Sequence, residues 1–244
     1  METKTESELW LIGIIETRSR LKELLAESSF YNSLMVYLQE YICDTFDSLA
    51  STPVTLSPAH TSHQRDLAIF FKRVLEEVLV KEQSNQPYTV LLTEGNFTTS
   101  LLACCVEVYF YVHMYSGISF SYLLECLRVH SFNFWKQLGR LFRFHPVFPK
   151  DLVLHLKRLE ECILMSLAWK GESELKRYIK SREIENPKSF NAFFTRVIEV
   201  VANRIFVICK HLEVGETVQG LIWETSKHFL SGFTIQLELS LIHI

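Results

Sequence analysis

Glycine and proline are scarce in this chain, 8 and 6 among 244 residues. β-Sandwiches and nucleotide-binding α/β folds place glycine at tight turns and phosphate loops, so the shortage favours an all-α fold. An excess of positive charge is missing as well. The formal net charge is −3, and no basic stripe of the kind that tracks a nucleic-acid backbone runs along the chain. The densest basic stretch, Lys176 to Arg182 (KRYIKSR), reads as a solvated helix face, with contact to an acidic partner as the other option. Catalytic signatures are also lacking: there is no G-x-S-x-G, no glycine-rich phosphate loop and no H-E-x-x-H. Glu160 and Glu161 are neighbours on a helical pattern and point about 100° apart, so they do not pair as acid and base. Cys209 and His211 are too close on one helix to share a tetrahedral site easily, and no second ligand pair lies nearby. These absences point away from an enzyme, a metal site or a cofactor, and toward a binding scaffold.

What is present is apolar. Hydrophobic residues make up 48% of the chain, with 18 phenylalanines, ample for a packed core and too much for a disordered segment. The six cysteines, Cys43, Cys104, Cys105, Cys126, Cys162 and Cys209, form no C-x-x-C pair. All but Cys43 sit in strongly apolar helical stretches, so they are expected to be reduced, buried thiols of a cytosolic or nuclear protein. The first residues, Met1 to Glu8, are polar and charged and carry no signal-peptide pattern.

The run Phe97 to Tyr115, FTTSLLACCVEVYFYVHMY, is apolar on every face of a helix and must be buried on all sides. Glu107 and His113 lie inside it. A bilayer would charge about 2.5–3.5 kcal/mol for one ionised carboxylate at the helix centre, so the run is read as the central helix of a protein bundle, of the five-helix, cyclin type. Its small pair Ala103 and Cys104 allows close approach by a neighbour. Around it, helical periodicity predicts helices over Ser7 to Ala26, Phe30 to Leu49 and Gln64 to Lys81. It predicts further ones over Phe120 to Val129, Phe132 to Phe144, Pro149 to about Trp169, Phe190 to Leu212 and Glu216 to Leu230. Pro53 and Pro58 mark an exposed loop at Ser51 to Ser62. Thr52 and Ser57 precede those prolines and are candidate sites for proline-directed phosphorylation, since the residue before proline favours extended chain. The last segment, Gly232 to Ile244, alternates apolar and polar residues with the period of a strand. It is expected to be alternative or foreign sequence on a truncated chain.

Several blocks, in order, resemble the A box of the retinoblastoma pocket proteins. LLACCVEV (Leu101 to Val108) is similar to the retinoblastoma-like members in particular. Gln64, Arg65 and FKRVLE (Phe71 to Glu76) resemble the preceding helix. Phe132, Phe134, Trp135 and Lys136 resemble the element after it, and HLKRLEECILMSLAW (His155 to Trp169) resembles the helix that closes the box. Ser189 to Leu230, with Cys209 and LIW at Leu221 to Trp223, resembles the opening of the B box. The implied organisation is an A box with N-terminal helices over 1–182, a short linker at 183–188, a partial B box at 189–230 and an atypical tail at 231–244. The B-box remnant has too few helices to cover its own apolar faces. Phe193, Val197, Val201 and Ile208 are therefore expected to lean on the A box or to stay exposed.

The resemblance implies a nuclear regulator of cell-cycle transcription that acts by protein–protein contact. It implies binding of the acidic, aromatic activation peptide of E2F-family transcription factors at the seam between the boxes, with DNA reached only through partners and no direct membrane contact. The positions that carry over are Arg73, Lys136 and Arg196 as groove cations and Glu160 as a carboxylate. Departures are Gly139 in place of an acidic residue, Leu154 in place of a lysine, and Thr195 and Glu199 in place of basic residues. The B-box positions that hold L-x-C-x-E peptides have no counterpart here, so such proteins are not expected as partners. Two alternatives remain: a cyclin-like scaffold serving a kinase or basal factor, and a pocket fragment without E2F binding.

Overall fold

The apolar run around Cys104 forms one helix and is buried along nearly its whole length. The computed structural model describes residues 4–25, 30–50, 60–82, 87–113, 118–144, 148–168, 174–175, 177–178 and 187–231. Every regular element among them is a helix: α1 (Glu6–Glu16), α2 (Leu21–Leu24), α3 (Phe30–Ala50), α4 (His60–Glu82), α5 (Tyr88–Thr93), α6 (Phe97–Val112), α7 (Phe120–Cys126), α8 (Ser131–Phe144), α9 (Lys150–Ala168), α10 (Pro187–His211) and α11 (Glu216–Ser231). The chain divides into two compact units, Met1–Arg158 and Leu159–Ile244. No described helix is long and apolar enough to cross a membrane.

In the first unit α6 is the centre, with α8, α4, α1, α5 and α7 packed around it. From Ser100 to Phe110 every residue of α6 is buried. The Cys104 Sγ lies 3.6 Å from the Phe134 carbonyl of α8. That is the close approach the small residues permit. Phe46, Phe70, Phe71, Phe97, Phe134 and Tyr109 are fully buried in the same core, each worth about 1.5–3 kcal/mol in apolar burial. Tyr41 of α3 donates its hydroxyl hydrogen bond to the Leu127 carbonyl after α7. Burial first, and then the neighbouring Tyr37, push that phenol up to about 12 against the pull of Arg128.

The helices follow the sequence periodicity, with four corrections. The expected first helix breaks after Glu16. Thr17 takes extended dihedrals, and Ser19 Oγ and the Arg20 amide donate to Glu76 Oε2 on α4 at 2.8 and 2.7 Å. Those bonds turn the chain before α2. The central helix stops at Val112, with His113 as its C-cap, and the His113 ring packs against Tyr109 at 4.3 Å and His63 at 5.4 Å. The short α5 was not legible as a separate element. Finally, the thiols are not uniformly buried. Cys104, Cys105 and Cys209 are, Cys126 is half-buried and Cys162 is exposed, because the inner face of α9 is taken by Leu152, Leu156, Ile163, Leu164 and Leu167.

In the second unit α10 packs against α11. α10 ends in a left-handed turn: Glu213 has φ 52°, its amide donates to the Lys210 carbonyl and that of Val214 to the Cys209 carbonyl, which closes the helix end. Val201, Ile205 and Cys209 are buried, whereas Phe206, Ile208, Leu212, Val218 and Leu221 are exposed. The side chains of Phe193 and Val197 lie outside the described residues, as do the linker up to residue 186 and the tail from 232.

Candidate functional site: a charged face of the helical box

Arg73 and Lys136 both belong to the first unit, on α4 and α8, and both are engaged by carboxylates of their own chain. They differ in how firmly. Arg73 is 16% exposed. It pairs with Glu76 at 3.0 Å and Glu77 at 3.8 Å, the i,i+3 and i,i+4 neighbours on its helix, and its guanidinium reaches the Arg18 carbonyl at 3.4 Å. Glu76 also holds Ser19 and Arg20. Arg73 is thus part of the junction that fixes the segment between α1 and α2.

Lys136 is more open. Its ammonium donates to Glu94 Oε1 at 3.2 Å, and the two side chains are 29% and 44% exposed. One turn along α8, Arg140 lies 3.8 Å from Glu82 and covers the Phe97 ring at 5.3 Å, a cation–π contact. α8 therefore presents two cations in a row. Their i,i+4 spacing was readable in the sequence; the carboxylates opposite, 42 and 58 residues away, gave no signal.

Glu94 also lines a recess of about 400 Å³ with Leu34, Tyr37, Leu92, Thr98 and Thr99. It opens beside the N-terminus of α6, where the N-cap Asn96 makes no side-chain hydrogen bond to the helix.

The buried carboxylate of the central helix has its own partner. His155 Nε2 of α9 lies 2.8 Å from Glu107 Oε1, and the His155 ring stacks on Tyr111 at 4.1 Å. Burial pushes the Cys104 and Cys105 thiols well up; Cys104 is raised further by Cys105 and Glu107. Both stay protonated and unreactive in the native fold. Among the described residues no cluster of three or more histidine, cysteine or carboxylate side chains could hold a metal ion.

The other sequence-derived positions lie in the second unit or outside the described residues. Glu160 is half-buried on α9, and Arg196 lies on α10 with its side chain outside the described residues. Thr52 and Ser57 fall in 51–59, also outside them. Gly139, Leu154 and Glu199 are exposed, so those departures alter surface chemistry rather than the core.

An all-helical box closed around a single buried central helix defines a cyclin-like fold, and the sequence places it more narrowly. The family described as the retinoblastoma-associated protein A domain matches residues 35–179. The chain belongs to that family, and with it to the retinoblastoma-like pocket proteins. It is similar to retinoblastoma-like protein 1 of Rattus norvegicus, 30% identical over 135 residues, covering 54% of this chain and 13% of that protein. It is similar to retinoblastoma-like protein 2 of Homo sapiens, 32% identical over 130 residues, covering 52% and 11%. Retinoblastoma-like protein A of Dictyostelium discoideum is 28% identical over 125 residues, covering 50% and 10%. The chain thus spans about a tenth of the length of these relatives.

Proposed function

We propose that this chain is a nuclear regulator of cell-cycle transcription that works by protein contact and not by catalysis, masking the acidic activation peptide of E2F-family transcription factors to repress transcription. In this reading the A box covers 1–182 and the partial B box 189–230. Arg73, Lys136 and Arg196 supply positive charge to the peptide and Glu160 accepts from its donors. Phosphorylation at Thr52 and Ser57 regulates the contact, DNA is reached only through partners, and proteins carrying L-x-C-x-E are not bound.

The observation that carries the proposal is membership of the retinoblastoma A-domain family over 35–179, a span that includes Arg73, Lys136 and Glu160. Lys136 gives it chemical content: it is a cation on the box surface whose partner is another exposed side chain, and an acidic peptide exchanges readily with such a pair.

Fluorescence anisotropy with a labelled E2F activation peptide tests the reading. The chain should bind that peptide and discriminate against one whose acidic residues are changed to lysine. Lys136→Glu should weaken binding about 5- to 10-fold, the effect of reversing one charge at an interface rim. Equal affinity for both peptides removes the proposal and leaves the fold assignment intact.

A further inference from the structure

The two cations on the first unit are neutralised in different ways. Arg73 is half-buried in a junction with Glu76, Glu77 and the Arg18 carbonyl. A ligand carboxylate would have to join those partners on Arg73, because Glu76 is held in place by Ser19 and Arg20 as well. Lys136 has Glu94, at the end of α5, at 3.2 Å, and both groups face solvent. Glu94 holds on Lys136 the position an incoming carboxylate would need.

Glu94 also has somewhere else to go. It precedes the N-cap of α6 by two residues, and its own backbone carbonyl already accepts from the Phe97 amide at 2.9 Å. The next amides, those of Thr98 and Thr99, belong to the first turn, where no preceding carbonyl of the helix serves them. The Asn96 side chain does not cap them. The positive end of the helix dipole favours a carboxylate there. The recess that Glu94 lines with Thr98 and Thr99 leaves about 400 Å³ for that movement.

We propose that Glu94 is a two-position carboxylate: on Lys136 in the free protein, and at the N-terminus of α6 when a partner's acidic residue takes Lys136. It is an internal competitor that sets the affinity and the charge selectivity of this face. The inference rests on the functional reading above. A segment with no carboxylate opposite Lys136 leaves the Glu94–Lys136 pair intact, so the competitor lowers the affinity for acidic segments, leaves that for neutral ones unchanged and narrows the gap between them.

The experiment is a set of affinity measurements with the E2F activation peptide and with the same peptide carrying amides in place of its carboxylates. The full chain is compared with Glu94→Gln, Glu94→Ala, Lys136→Met and Lys136→Met combined with Glu94→Gln. Both Glu94 variants should bind the acidic peptide about 2- to 5-fold more tightly, the range of one exposed ion pair. Their affinity for the amide peptide should not change, and the gain should vanish in the Lys136→Met background. If Lys136→Met weakens the acidic peptide while both Glu94 variants bind it no better than the unaltered chain, Glu94 is not a competitor and the functional reading stands. If the unaltered chain fails to distinguish the two peptides, the functional reading falls and takes this inference with it.

Discussion

At the scale of single residues, the informative side chains are charged or titratable groups held inside an apolar box. Glu107 is tolerated in the middle of α6 because His155 comes to it from α9. Removing that partner leaves a buried carboxylate without its hydrogen bond, at a cost of about 1–3 kcal/mol. His155→Ala should lower the urea midpoint accordingly, and Glu107→Gln combined with His155→Ala should recover part of the loss. His113 is a second case. Burial lowers its pKa and His63 lowers it further, while Glu8 and Asp66 pull it upward. A histidine depressed in the folded state contributes its full stability above the unfolded value of about 6.5, loses it as the pH falls below that value, and stops losing it once the folded ring is itself protonated. Urea titrations from pH 7.5 to 5 should show a declining midpoint, and His113→Gln should flatten that decline.

At the scale of helices, periodicity was a reliable guide wherever a helix buries one face or all of itself. The centrality of α6 could be read from a run with no polar face, and the stripes of α3 and α4 from their spacing. The exceptions have different causes, one distant in sequence and one local to a helix. The break between α1 and α2 is made by Glu76, nearly sixty residues onward, and no local feature of Thr17 to Arg20 announces it. Cys162 lies in an apolar stretch, yet the neighbouring positions on α9 take the inner face. The candidate site was legible to the same degree. The internal partners of Arg73 stand three and four residues on and could have been seen, whereas Glu94 opposite Lys136 could not. Thiol labelling checks the helix faces directly. In the native protein a small alkylating reagent should modify Cys162 first and leave Cys104 and Cys105 unmodified until urea unfolds the box, with peptide mass spectrometry as the readout. Early labelling of Cys104 would contradict the packing of α6 against α8.

At the scale of the whole molecule, both units leave large apolar side chains uncovered, Leu9, Val36 and Val90 among them in the first. The first nevertheless buries its central helix from Ser100 to Phe110. The second carries Leu212, Val218 and Leu221 at 69%, 50% and 63% exposure. Exposed apolar side chains of this size promote association in solution when they share a surface. Leu212→Lys combined with Leu221→Lys should reduce concentration-dependent association in sedimentation velocity and leave the helical circular dichroism of the chain unchanged. Unchanged association would assign the behaviour to another surface.

The bond between Glu107 and His155 spans 48 residues, and this has a bearing on synthesis. A nascent chain emerging from the ribosome carries its acidic side chain through α7 and α8 before the imidazole exists. Until then the carboxylate must stay hydrated. Completion of the box is therefore tied to arrival of α9, and a polypeptide halted upstream of position 155 should remain molten around its central helix.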